Sequence, residues 1–139
     1  MSRKILFRGK QVRNGEWVYG DLTQNPNIAI FENRGLRGEN DVIPETVGQF
    51  TGLIDKNGKM IFEGDVVEFL DNDILSGNEI KASGIVSFGD GEFIIDQIDG
   101  VKESYCNSFY EPDGRGFSWN ELEIIGNIFD NPELAVKND

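Results

Sequence analysis

Two carboxylate pairs could do chemistry together. Glu63 and Asp65 flank Gly64, and Asp90 and Glu92 flank Gly91. Alternation along a strand puts each pair on one face, the minimum geometry for acid–base or magnesium chemistry. The same stretches also read as turns: Glu63-Gly64-Asp65 enters an apolar strand, and Gly89-Asp90-Gly91 closes a hairpin. The turn reading is preferred. Residues 71–79, from Asp71 and Asp73 to Glu79, superficially suggest a calcium loop. Leu75, Ser76 and Ala82 occupy the positions where an EF-hand needs an oxygen ligand, a glycine and a glutamate. A solvated acidic loop is the better description. Cys106, the only cysteine, lacks a histidine to activate it, so a packed thiol is expected rather than a nucleophile. Gly15 to Gly20 has the length of a phosphate loop's start, but Asp21 stands where its lysine belongs.

The elements that would position such groups come from one chain of 139 residues, with 13 Lys+Arg, 25 Asp+Glu and no histidine, at a net charge of −12. The length fits a single domain without a disulfide or metal staple. One cysteine excludes an internal disulfide and a cysteine zinc cluster. Without histidine, the usual neutral-pH base and transition-metal ligand is missing. The acidity works against binding nucleic acid or an anionic membrane. MSRKILFRGK does not read as a signal peptide, and no run approaches the ~18 apolar residues of a membrane span. A cytoplasmic setting is expected.

Charge is unevenly spread. Residues 1–40 carry seven bases and four acids, whereas residues 41–139 carry six and 21. Five of the bases, Arg3, Lys4, Arg8, Lys10 and Arg13, fall in the first thirteen residues without a single acid. An edge strand gripping phosphates is one reading. Contact with the acidic remainder, within the chain or across a subunit interface, is the preferred one.

Short runs rich in Val, Ile, Phe, Trp and Tyr, bounded by Gly, Asn or Asp, predict a mainly β protein. A first hairpin joins residues 4–12 and 16–22 at Asn14-Gly15 through a two-residue type I′ turn, placing Val12 opposite Trp17. Residues 27–31 form a short strand and 32–41 an exposed loop. A second hairpin pairs 47–53 with 60–70 around Asp55-Lys56-Asn57-Gly58, and a third pairs 81–88 with 92–98. A weaker strand over 103–110, a loop over 111–116, a strand over 123–129 and a short helical turn from Pro132 complete the chain. The hairpin order follows that of SH3-like barrels. The expected architecture is therefore a small SH3-like barrel core over 45–139, an N-terminal hairpin lobe over 1–44 and a C-terminal helical turn, all in one domain.

The block from Glu45 to Val67, ETVGQFTGLIDKNGKMIFEGDVV, resembles the core signature of the YopX family of phage and prophage proteins. The opening RKILFR and the closing EIIGNIFDNPEL resemble that family's ends. This resemblance spans nearly the whole chain and is weakest over 71–120. It implies a mainly β protein acting inside a bacterial host, and it implies no catalytic residue, substrate or cofactor.

The expected function is a non-catalytic phage accessory module that binds a host or phage protein. Candidate contact residues are Arg3, Lys4, Arg8, Lys10, Arg13, Asp71 and Asp73, with the loops at 32–41, 71–79 and 111–116. No membrane, cofactor or metal is expected. Ile124, Ile125, Ile128 and Phe129 could instead serve assembly with further copies. Alternatives are an acidic mimic of nucleic acid, and a magnesium hydrolase built on Glu63, Asp65, Asp90 and Glu92.

Overall fold

The computed structural model describes residues 5–24, 28–31, 39–72, 79–89, 91–99, 106–108 and 122–135. Six strands are Phe7–Lys10 (β1), Trp17–Thr23 (β2), Ala29–Phe31 (β3), Glu39–Asp41 (β4), Gly48–Ile54 (β5) and Met60–Phe62 (β6). They form one sheet in the order β4-β3-β2-β1-β5-β6. Five more are Asp65–Asn72 (β7), Glu79–Gly89 (β8), Glu92–Asp99 (β9), Cys106–Ser108 (β10) and Glu123–Asn127 (β11). Their sheet has the order β10-β9-β8-β7-β11, antiparallel at every pairing. The protein is thus mainly β. Among the described residues neither sheet closes on itself, since closure would require its end strands to pair.

The chain divides into two compact units, residues 1–52 and 53–139, with the boundary inside β5. Charge follows that division. The first unit holds seven bases against six acids; the second holds six against nineteen, a net −13.

Each unit buries its own apolar face. In the first, Val18, Ile30 and Val42 pack with Phe7, Leu22, Ile28 and Val47. In the second, Ile61, Val67, Phe69, Ala82, Val86, Ile95 and Leu122 pack with Leu53, Phe93 and Ile124. The strand period of two explains the selection: Val67 and Phe69 lie opposite Gly84 and Ala82, while Glu68 between them and Leu70 after them face outward.

Several sequence expectations need correction. The first hairpin pairs Lys10, not Val12, with Trp17. Its loop is longer than a type I′ turn: Gln11 N–H donates to the Glu16 carbonyl, leaving residues 12–15 as the loop, with Gly15 at φ 71°. The Asn14 carboxamide oxygen accepts the Glu16 N–H at 3.0 Å, and this local bond favours the wider loop. A two-residue register shift leaves every side chain on its expected face. The predicted strand 60–70 breaks in two at Gly64, whose φ of 95° a side chain would strain. Asp71 and Asn72, expected in the acidic loop 71–79, continue β7 and pair with Ile80 and Glu79, and residues 73–78 lie outside the described part. Within the predicted loop 32–41, residues 39–41 form β4. Residues 111–116 lie outside the described part. A 3-10 turn at Pro132–Ala135 matches the expected helical turn.

A second 3-10 turn, Pro44–Thr46, is fastened to β1 by one hydroxyl. Buried Thr46 Oγ1 accepts the Lys10 N–H at 2.9 Å and donates to the Ile43 carbonyl at 2.7 Å. Thr46→Val keeps the shape but strands the Lys10 N–H, while the Ile43 carbonyl keeps the Thr46 backbone N–H at 3.0 Å. We expect it to cost about 1–2 kcal/mol in urea unfolding.

Candidate functional site

Among the described residues, no three His, Cys, Asp or Glu side chains group as metal ligands. Asp65 is buried, and its Oδ2 accepts the Phe62 N–H at 2.8 Å across the Gly64 turn. That carboxylate is committed to the backbone. Asp90 lies outside the described residues, and Glu92 pairs with Gly89 at the start of β9. Cys106 opens β10 opposite Asp96.

A carboxylate overlooked by the sequence reading is more consequential. Asp55, only 3 % exposed, accepts N–H groups of Asn57 and Lys59 on Oδ1, both at 2.9 Å. Its Oδ2 accepts the Ile124 N–H at 3.0 Å, 69 positions away in sequence. Burial works to raise its pKa, but the three N–H donations and the Lys59 charge outweigh it and hold the carboxyl below its ordinary value. Beside it, Lys56 N–H donates to the Leu122 carbonyl at 2.9 Å. The 55–59 turn thereby occupies backbone groups at the start of β11 that an edge strand would otherwise present.

The basic candidates separate. Arg3, Lys4 and Asp73 lie outside the described residues, and Asp71 sits near the end of β7. β1 is flanked by β2 and β5, so it is an interior strand and not the edge considered above. Arg8, 5 % exposed, holds its guanidinium 4.6 Å from the Trp17 ring centre, and Lys10 Nζ lies at 5.5 Å. These bases are therefore engaged with an aromatic of their own hairpin. Alternation of Arg8 and Lys10 on one arm with Trp17 on the other was a sequence signal for this cluster. Arg13 sits in the loop, its Nε donating to Gln11 Oε1 at 3.2 Å. Arg8→Met, which keeps the stem and removes the cation, should cost at least ~1 kcal/mol in thermal unfolding.

On the outward face of the second sheet the charges are arranged differently. Glu68 of β7 and Glu123 of β11 occupy directly opposed positions, where Cβ atoms lie about 4.5–5.5 Å apart and like charges repel. Lys56 Nζ stands 3.4 Å from Glu123, and Lys81 Nζ stands 3.7 Å from Glu68. Two lysines thus flank two facing glutamates. With Phe69 and Leu70 they line a cavity of about 210 Å³. Glu68 sits in a strand that otherwise reads as core, and only the register reveals Glu123 opposite it.

No curated protein matches the sequence. Among solved structures, the crystal structure of protein EF1440 from Enterococcus faecalis is similar at a TM-score of 0.52 with 21 % identity, covering 96 % of this chain and 99 % of that one. The likeness shows a shared fold. The YopX protein family matches residues 6–135, from the start of the first hairpin to the end of the last 3-10 turn, and takes in both units. The chain belongs to the YopX protein family.

Proposed function

We propose that this chain is a non-catalytic accessory protein of phage or prophage origin, a module that binds a host or phage protein inside the bacterial cell. The observation that carries the reading is how its best-placed carboxylates are used. Asp55 and Asp65, in the turns that mark the family-like block, spend their oxygens on backbone N–H groups. Such groups hold a fold; they do not wait for a substrate. Meanwhile the second unit keeps a net −13, a field that selects basic partners and repels nucleic acid. Its β7–β8–β9 order supports kinship with SH3-like barrels by analogy alone.

The nucleic-acid mimic is the weaker reading, because Lys56 and Lys81 interrupt the row of acids that mimicry needs. No helix among the described residues is long and apolar enough to cross a membrane. Affinity capture with the full chain from lysogenic cells tests the proposal. Retention of one protein in fixed proportion, released by salt, is the expected result. Hydrolysis of a substrate lost on Asp65→Asn without loss of folding would overturn it.

A further inference from the structure

We infer that the cavity between Glu68 and Glu123 is a docking site for a basic peptide segment of the partner, with an arginine seated between the two carboxylates and a neighbouring apolar residue against Leu70. The inference rests on the binding-module reading and adds its site and the chemistry of its occupant.

Three observations lead there. First, the sheet register sets two glutamates face to face, an arrangement that strand pairing ordinarily avoids. Sequences that break a local rule tend to do so where function requires it. Second, their ion pairs with Lys56 and Lys81 are long and wet. Contacts of 3.4 Å and 3.7 Å, to lysines whose side chains are 49 % and 70 % exposed, contribute little and exchange readily. Third, Leu70 beside them is 57 % exposed, an apolar contact next to a charged one.

An incoming guanidinium has a geometry that lysine cannot supply. Its planar fork offers donors to carboxylates on both sides at once, so one arginine can bridge Glu68 and Glu123 and relieve their repulsion. Lys56 and Lys81 then swing out to solvent. The −13 of the second unit raises the local concentration of such a segment before contact. On this account the two lysines are internal competitors, and removing them strengthens binding.

The probe is a short fluorescein-labelled peptide alternating arginine with leucine, followed by anisotropy against the full chain at low salt. Glu68→Gln/Glu123→Gln should weaken binding by about tenfold or more. Glu45→Gln/Glu133→Gln, an equal change in charge on exposed 3-10 turns, should change it by less than about twofold. Lys56→Gln/Lys81→Gln should tighten it more than Lys59→Gln does, and a lysine–leucine peptide should bind the wild type more weakly. Unfolding curves confirm that each variant is folded. No binding by the wild type, equal losses in both glutamate pairs, or weaker binding without the lysines overturns the inference. None of these outcomes touches the capture experiment, which uses the natural partner. Capture that fails while the peptide still binds overturns the wider reading alone.

Discussion

Asp55→Ala is expected to destabilise the chain by about 3–4 kcal/mol, a large part of the 5–15 kcal/mol typical of a folded domain. The substitution leaves three N–H groups, of Asn57, Lys59 and Ile124, without their acceptor. Asp55→Asn should cost less, since one carboxamide oxygen still serves the turn, but its amide hydrogens cannot receive the Ile124 N–H. The pH dependence carries a definite sign. The folded pKa lies below the ordinary 3.8, so the charged form is the one that folding favours. Its stabilisation is fully present above the unfolded value and is lost as pH falls through the folded one. The stability gap between wild type and Asp55→Asn should therefore stay constant above about pH 5 and shrink below the ordinary carboxylate range. Urea unfolding of both chains across that window measures it. A gap that does not change with pH would remove the charge from the explanation.

Gly84→Ala and Ile95→Ala form the second test, and their coupling matters more than either cost. A Cβ on Gly84 would overlap Ile95 Cγ2 and come within 3.0 Å of the Asp96 carbonyl oxygen. Ile95 is fully buried in the second core, against which β8 and β9 close. Alone, Gly84→Ala should cost about 2–3 kcal/mol by overpacking. Ile95→Ala should cost about 3–4 kcal/mol by leaving a cavity. Together the new methyl enters the space that the isoleucine vacates, so the double variant should be more stable than the sum by at least ~1 kcal/mol. Additive costs would mean that the Asp96 backbone, and not the Ile95 side chain, sets the limit at Gly84.

Local signals account for most of what could be read in the sequence. Asn57-Gly58 and Gly89 to Gly91 mark hairpins that the structure contains, because a turn's chemistry lies within a few residues. The first hairpin came out two residues off, since Asn14-Gly15 serves either loop length and a single side-chain bond decides between them. Longer-range facts were hidden. Asp55 reads as an ordinary turn aspartate until Ile124 arrives from 69 positions away. Arg8 reads as a surface base until Trp17 takes it up. Glu68 reads as a lone charge in an apolar strand until the register brings Glu123 opposite. Charge asymmetry was visible throughout, and the division at β5 sharpens it into a nearly neutral first unit and a second unit at −13.

Affinity capture from lysogenic cells with wild-type and Glu68→Gln/Glu123→Gln chains side by side, quantified by mass spectrometry at rising salt, decides whether a basic partner docks on these two glutamates. One protein with a basic segment should be retained by the wild type, released as salt rises, and lost from the variant. Retention of nucleic acid, or of nothing, by the wild type would contradict it.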